Sequence, residues 1–180
     1  MVSTMTPSNE ATKEQLQMAT EQGNAFTNAL NHMINEEAHG EEKQVGDYII
    51  GYAVEEAEGM YQMQGGELVW YEPREENAHI EITVRDAADG RFIPGLEVRL
   101  TVLDAAENEI DSNVQPFIWH PWLYHYGRNW VLPGDGEYTF HVRVQAPDFM
   151  RHDKKNGQRF TESPEVDFNN VKIKTGQKKS

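Results

Sequence analysis

The chain has 180 residues, 38% of them hydrophobic, no cysteine, and a formal net charge of −14. That length and apolar content suit one domain with a modest core and room for an appendage. Lack of cysteine excludes disulfides and thiolate chemistry, the acidic excess disfavours nucleic acid and anionic membrane surfaces, and no apolar run approaches the ~18 residues that span a bilayer.

Residues 1–9 read as a mobile tail, and residues 1–28 lack the basic and apolar regions of a signal peptide. Residues 10–38 hold helix formers and no proline. Asn9 is the expected cap, and Phe26, Leu30, Met33 and Ile34 form one short apolar stripe at helical spacing. Gly23 weakens the middle of this helix, and Gly40 ends it. The break near Gly40 predicts an N-terminal tail and amphipathic helix over 1–45, of which residues 1–44 can be removed without loss of the rest.

From Asp47 the period changes to two. Ile80, Ile82 and Val84 alternate with His79, Glu81 and Thr83. Leu96, Val98, Leu100 and Val102 form a second alternating set, and Tyr138, Phe140, Val142 and Val144 a third. Val166 and Phe168, then Val171 and Ile173, close the pattern. Turn signals at Asp89-Gly90, Pro94-Gly95, Gly134-Asp135-Gly136 and Asn156-Gly157 separate these runs. Short alternating strands of this kind predict an all-β sandwich. Gly136-Glu137-Tyr138 fits the tyrosine corner of immunoglobulin-like sandwiches, with Phe140 where a disulfide cysteine would stand. The expected sandwich spans 46–175, followed by a disordered basic tail over 176–180.

Five of the seven histidines fall within residues 79–152. Neutral imidazole is a common ligand of zinc, copper and iron, and a carboxylate can complete such a site. His79 and Glu81 share the strand face opposite the core, roughly 7 Å apart at ~3.3 Å per residue. His120 and His125 lie in an aromatic segment that Pro121 keeps out of a regular central strand. His152 follows the Tyr138 strand, with Asp153 placed to orient it. His141 alternates with core positions and should face outward as a non-ligand. His32 and His39 read as a solvated helix face. Trp119, Trp122, Tyr124 and Trp130 offer the main alternative, a carbohydrate- or ligand-binding module. Nucleophile elbows, phosphate loops, dinucleotide fingerprints and His-Glu-x-x-His are all absent, so a non-catalytic protein is expected.

The stretches Gly51–Met60, His79-Ile80-Glu81, His125-Tyr126-Gly127-Arg128-Asn129, Leu132–Tyr138 and Arg151-His152-Asp153 together resemble the P19/Tp34-type periplasmic iron-transport-associated metal-binding proteins, over about residues 46–174. That resemblance implies an immunoglobulin-like β-sandwich, a homodimer, a periplasmic or extracytoplasmic location, an inner-membrane iron permease as partner, and binding of copper or ferrous iron in support of iron transport. It places metal ligands at His125, His79 and His152. The family's methionine ligand has no counterpart near Trp119-His120, which makes His120 the candidate replacement; Glu81 is a further candidate. Loss of the thioether favours Cu(II), Fe(II) or Zn(II) over Cu(I). A site of ordinary histidines should weaken below about pH 6.

Overall fold

The computed structural model describes residues 4–36 and 38–179; the first three residues of the expected tail and Glu37 lie outside them. Helix α1 (Lys13–Glu36) is followed by β1 (His39–Val45), β2 (Tyr48–Glu55), β3 (Met60–Gln64), β4 (Glu67–Tyr71), β5 (Ala78–Asp86), β6 (Val98–Leu103), β7 (Glu109–Gln115), β8 (Phe117–Ile118), β9 (His125–Trp130), β10 (Gly136–Val144) and β11 (Glu165–Ile173). One sheet runs β1-β2-β5-β9-β8, the other β11-β10-β6-β7, and β3-β4 form a separate hairpin. All named strand pairs are antiparallel.

The period-two runs do what their chemistry requires. Ile80, Ile82 and Val84 meet Val98, Leu100, Val102, Phe140, Val142 and Phe168 in one core between the sheets. The Tyr138 hydroxyl donates to the Gly134 carbonyl, which makes the tyrosine corner. The sequence changes parity between Phe168 and Val171 because β11 slips register against β10 between Tyr138 and Phe140, with Asn170 at a φ of 57°.

Several expectations for the N-terminal segment and the C-terminal tail are corrected. The helix is capped by Thr12 rather than Asn9: Thr12 Oγ1 accepts from Gln15 N, and Gln15 Oε1 accepts from Thr12 N, a reciprocal capping box. The tail before it is tied down, since Thr6 N donates to Asn156 Oδ1 and Ser8 Oγ to Asp153 Oδ2. β1 pairs along its whole length with β2, so sheet structure begins at His39, ahead of residue 46. The tail at 176–178 is also held. Ala57 N donates to Gly176 O and Lys178 N to Ala57 O.

Helix α1 is itself part of the packing. It lies across the outward face of the five-stranded sheet. Leu30 and Met33 form a second apolar cluster with Ala38, Ala53 and Leu123. Phe26 stacks on Phe92 at 5.5 Å between centroids. Thr27 Oγ1 accepts from Arg85, whose guanidinium also grips Glu42 through both carboxylate oxygens at 2.8 Å. Gly23, a weak helix former, allows the crossing: a Cβ there would sit 1.8 Å from the Asp89 carbonyl oxygen. As a result β5 is buried at all nine positions, outward residues included.

Candidate metal centre

The site is built on the outward face of β5 and β9, beneath the end of α1. Register sets its floor. Glu81 stands between Ala53 on β2 and Gly127 on β9, and His79 stands opposite Asn129. Neighbours this small leave an opening above Glu81. A Cβ at Gly127 would fall 3.2 Å from His79 Nε2 and 3.0 Å from His125 Cδ2, inside the space the two rings face.

Both histidines are oriented by their Nδ1 atoms. His79 Nδ1 donates to Asn129 Oδ1 at 3.0 Å. The orientation of Asn129 is fixed in turn, because its Nδ2 donates to the Glu58 carbonyl and its Oδ1 accepts from Glu58 N. His125 Nδ1 donates to the Leu123 carbonyl at 3.0 Å. Both Nε2 lone pairs therefore point inward. Neither Nε2 makes a hydrogen bond among the described residues. Glu81 Oε1 lies 3.3 Å from His125 Nε2 and 3.7 Å from His79 Nε2, and the three donor atoms lie within 4.8 Å of one another.

Electrostatics keeps the rings neutral. Burial pushes His125 down to about 3, and the neighbouring His79 and His120 push the same way. Burial also lowers His79, against the opposing charge of Glu58. A buried imidazole held neutral, with an unused lone pair aimed at a carboxylate, is costly in a purely structural role and is the state a metal requires. The donor set therefore fits a transition metal.

Of the five residues expected at the site, His79, Glu81 and His125 converge. His120 joins the same cavity wall, about 40 Å³ of space shared with Met33, Glu55, Glu58 and Leu123. Its ring lies 5.9 Å from that of His125, and its Nδ1 is buried without a hydrogen bond. His152 is the correction. Its side chain is 95% exposed and its Nδ1 pairs with Glu10 Oε2 at 3.1 Å. Asp153 instead accepts from Ser8 and Asn156, so neither residue joins this centre within the chain. His141 faces outward and pairs with Asp167. Trp130 is in the core, its Nε1 donating to Gln115 Oε1, which removes one member of the proposed aromatic platform.

Sequence reasoning missed Met33, Glu55, Glu58 and Asn129. Three of these lay inside motifs already noted, Gly51–Met60 and His125–Asn129, but carried no spacing that marked them. Met33 read only as helix stripe.

The sandwich is similar to copper-reconstituted P19 from Campylobacter jejuni, with a TM-score of 0.64 and 18% identity over 78% of this chain and 98% of that one. It is likewise similar to FetP from uropathogenic E. coli strain F11, with a TM-score of 0.61 and 16% identity over 77% and 95%. Comparison with curated proteins finds no match. No helix among the described residues is long and apolar enough to cross a membrane. The family described as Fe2+ transport protein matches residues 33–174, and the chain belongs to that family.

Proposed function

We propose that this protein binds a divalent transition metal through His79 Nε2, His125 Nε2 and the Glu81 carboxylate, without catalysis, in support of iron transport. One observation carries the reading: two fully buried imidazoles, each fixed through Nδ1, aim unpaired Nε2 atoms at one carboxylate oxygen. Two nitrogens and an oxygen suit Cu(II), Fe(II) and Zn(II). Met33 also lines the cavity, so a residue able to offer Cu(I) a soft donor is present beside the set. His120 is the further donor within reach of the cavity.

The same reading takes the protein as periplasmic or extracytoplasmic, as a homodimer, and as a partner of an inner-membrane iron permease. The exposed aromatics Phe117, Trp119, Trp122 and Tyr124 supply an apolar surface for an isologous contact. In such a dimer the exposed His152 of the second copy becomes available to a site that its own chain does not reach.

Isothermal titration with Cu(II), Fe(II) and Zn(II) tests the centre. Wild-type protein should bind at least one of these ions tightly, and folded His125→Ala should lose that binding. Unchanged affinity in folded His125→Ala would overturn the assignment.

A further inference from the structure

Helix α1 also walls a second cavity, near its other end. This cavity holds about 300 Å³ and lies between the first turns of α1, the N-terminal segment, the end of β5 and the loop 151–160. Ala19 lines it, whereas Met33 at the metal centre lies roughly 20 Å further along the helix at ~1.5 Å per residue. The two spaces share no lining residue.

Its walls divide by chemistry. Leu16, Ala19 and Phe160 are apolar, while Arg91, Arg151 and Arg159 bring three guanidinium groups to one space in a chain of net charge −14. Two of the three are matched. Arg159 is buried against Asp86 and Asp47, and Arg91 Nε lies 2.8 Å from Asp89 Oδ2. Arg151 differs. Its Nη atoms donate to the carbonyls of Pro147, Phe149, Arg159 and Phe160, and it has no carboxylate partner among the described residues. Those bonds fix the position of its charge without neutralising it. The carboxylate of Asp153, on the same loop, is taken up by Ser8 Oγ and Asn156 Nδ2.

The backbone supplies a second observation. Phe160 has a φ of 56°, a left-handed conformation that a bulky residue adopts only when its surroundings impose it. Its N–H donates to Asp47 Oδ2 at 3.3 Å, its carbonyl accepts from Arg151, and the Arg159 guanidinium lies 5.1 Å from its ring centroid. These partners hold an aromatic residue on the cavity wall beside a fixed cation.

We infer that this cavity binds a small organic carboxylate, with the anionic group on Arg151 and the apolar body against Leu16, Ala19 and Phe160. Nε of Arg151 carries none of the four carbonyl bonds and is left to make a charge-assisted bond to a ligand oxygen. A concave apolar lining with a few fixed polar groups is the form that small-molecule sites take, and this volume lies at the small end of their range. Inorganic phosphate would leave the apolar wall unused, and a neutral ring compound would leave the cation unmatched. The inference stands apart from the metal-binding reading and does not need a metal.

Benzoate is the probe, with benzyl alcohol and inorganic phosphate as controls, in heteronuclear NMR titrations of the metal-free full chain. Benzoate should bind saturably with roughly millimolar affinity, as suits so small a ligand, and shift the amides of Leu16, Ala19 and Gly157. Each control should bind at least roughly tenfold more weakly. Leu16→Glu puts a carboxylate on the apolar wall and should abolish binding, with the melting temperature confirming the fold. Arg151→Gln should weaken benzoate roughly tenfold or more; because Arg151 also ties the loop, Leu16→Glu decides the matter if that variant does not fold. Absence of saturable benzoate shifts would overturn the inference. So would either control binding as well as benzoate, or wild-type affinity in either folded variant.

Discussion

Leu30→Ala should destabilise the whole sandwich, not a detachable helix. Leu30 is 1% exposed and packs against Met33, Ala38, Ala53 and Leu123, so its side chain links α1 to β2 and to the loop before β9. The substitution removes three carbon groups. At about 0.8 kcal/mol per buried group the transfer loss is roughly 2.4 kcal/mol, and the cavity left between helix and sheet raises it to roughly 3 kcal/mol. For a chain of this size that lowers the melting temperature by roughly 6–12 °C. Urea unfolding followed by tryptophan fluorescence and by circular dichroism should show one coincident transition at a lower midpoint. Metal affinity should fall with it, because Leu123 belongs to the same cluster and its carbonyl orients His125. A loss below about 1 kcal/mol, or a helix signal that melts ahead of the β signal, would refute the integral role of α1 and restore a dispensable segment at 1–44.

Asn129→Leu should lower metal affinity by roughly ten- to a hundredfold while the fold survives, because His79 loses the acceptor that fixes its tautomer; titration at pH 7 measures this, and undiminished affinity would show that the ring is held by packing alone. Gly127→Val should abolish metal binding by filling the space before His79 Nε2, with a crystal structure or NMR confirming an intact β9. Metal affinity should stay nearly flat from pH 7 to pH 5 as far as His125 decides it: an unperturbed imidazole would lose roughly thirtyfold there, whereas His125, held near 3 by burial, is already neutral. The metal-free fold behaves differently, because the unfolded histidine binds its proton below ~6.5 and the folded one does not. Stability is therefore full above that pH and falls between it and about 3, by up to about 2 kcal/mol at pH 5, which lies about 1.5 units below the unfolded value. Denaturation midpoints across this range give the slope, and a midpoint that rises on acidification would reverse the sign. Sedimentation equilibrium at micromolar concentration should give a dimer, and a clean 20.6 kDa monomer with metal bound would exclude it.

The residue order alone determined which face of each strand met the core. Side chains alternate along a strand, so Ile80, Ile82 and Val84 could enter the core only by turning His79 and Glu81 out. Tyr126 entered with His125 and Gly127 turned out in the same way. The Pro-Gly-Asp-Gly turn and Tyr138 fixed the corner by local chemistry. Alternation could not say what covers an outward face, because that depends on complementarity between segments far apart in the chain. Only the tertiary structure laid α1 over β5, which changed His79 and Glu81 from surface residues into buried ones with depressed imidazole pKa values. It brought Met33 from the helix stripe, Glu58 from a loop and Lys178 from the end of the chain to one cavity. It also sent His152 elsewhere, because the loop after β10 is held by Thr6, Ser8 and Glu10 rather than by the site. Local sequence sets direction and period; burial, and with it the charge state of the ligands, is decided by whichever distant segment shuts out the water.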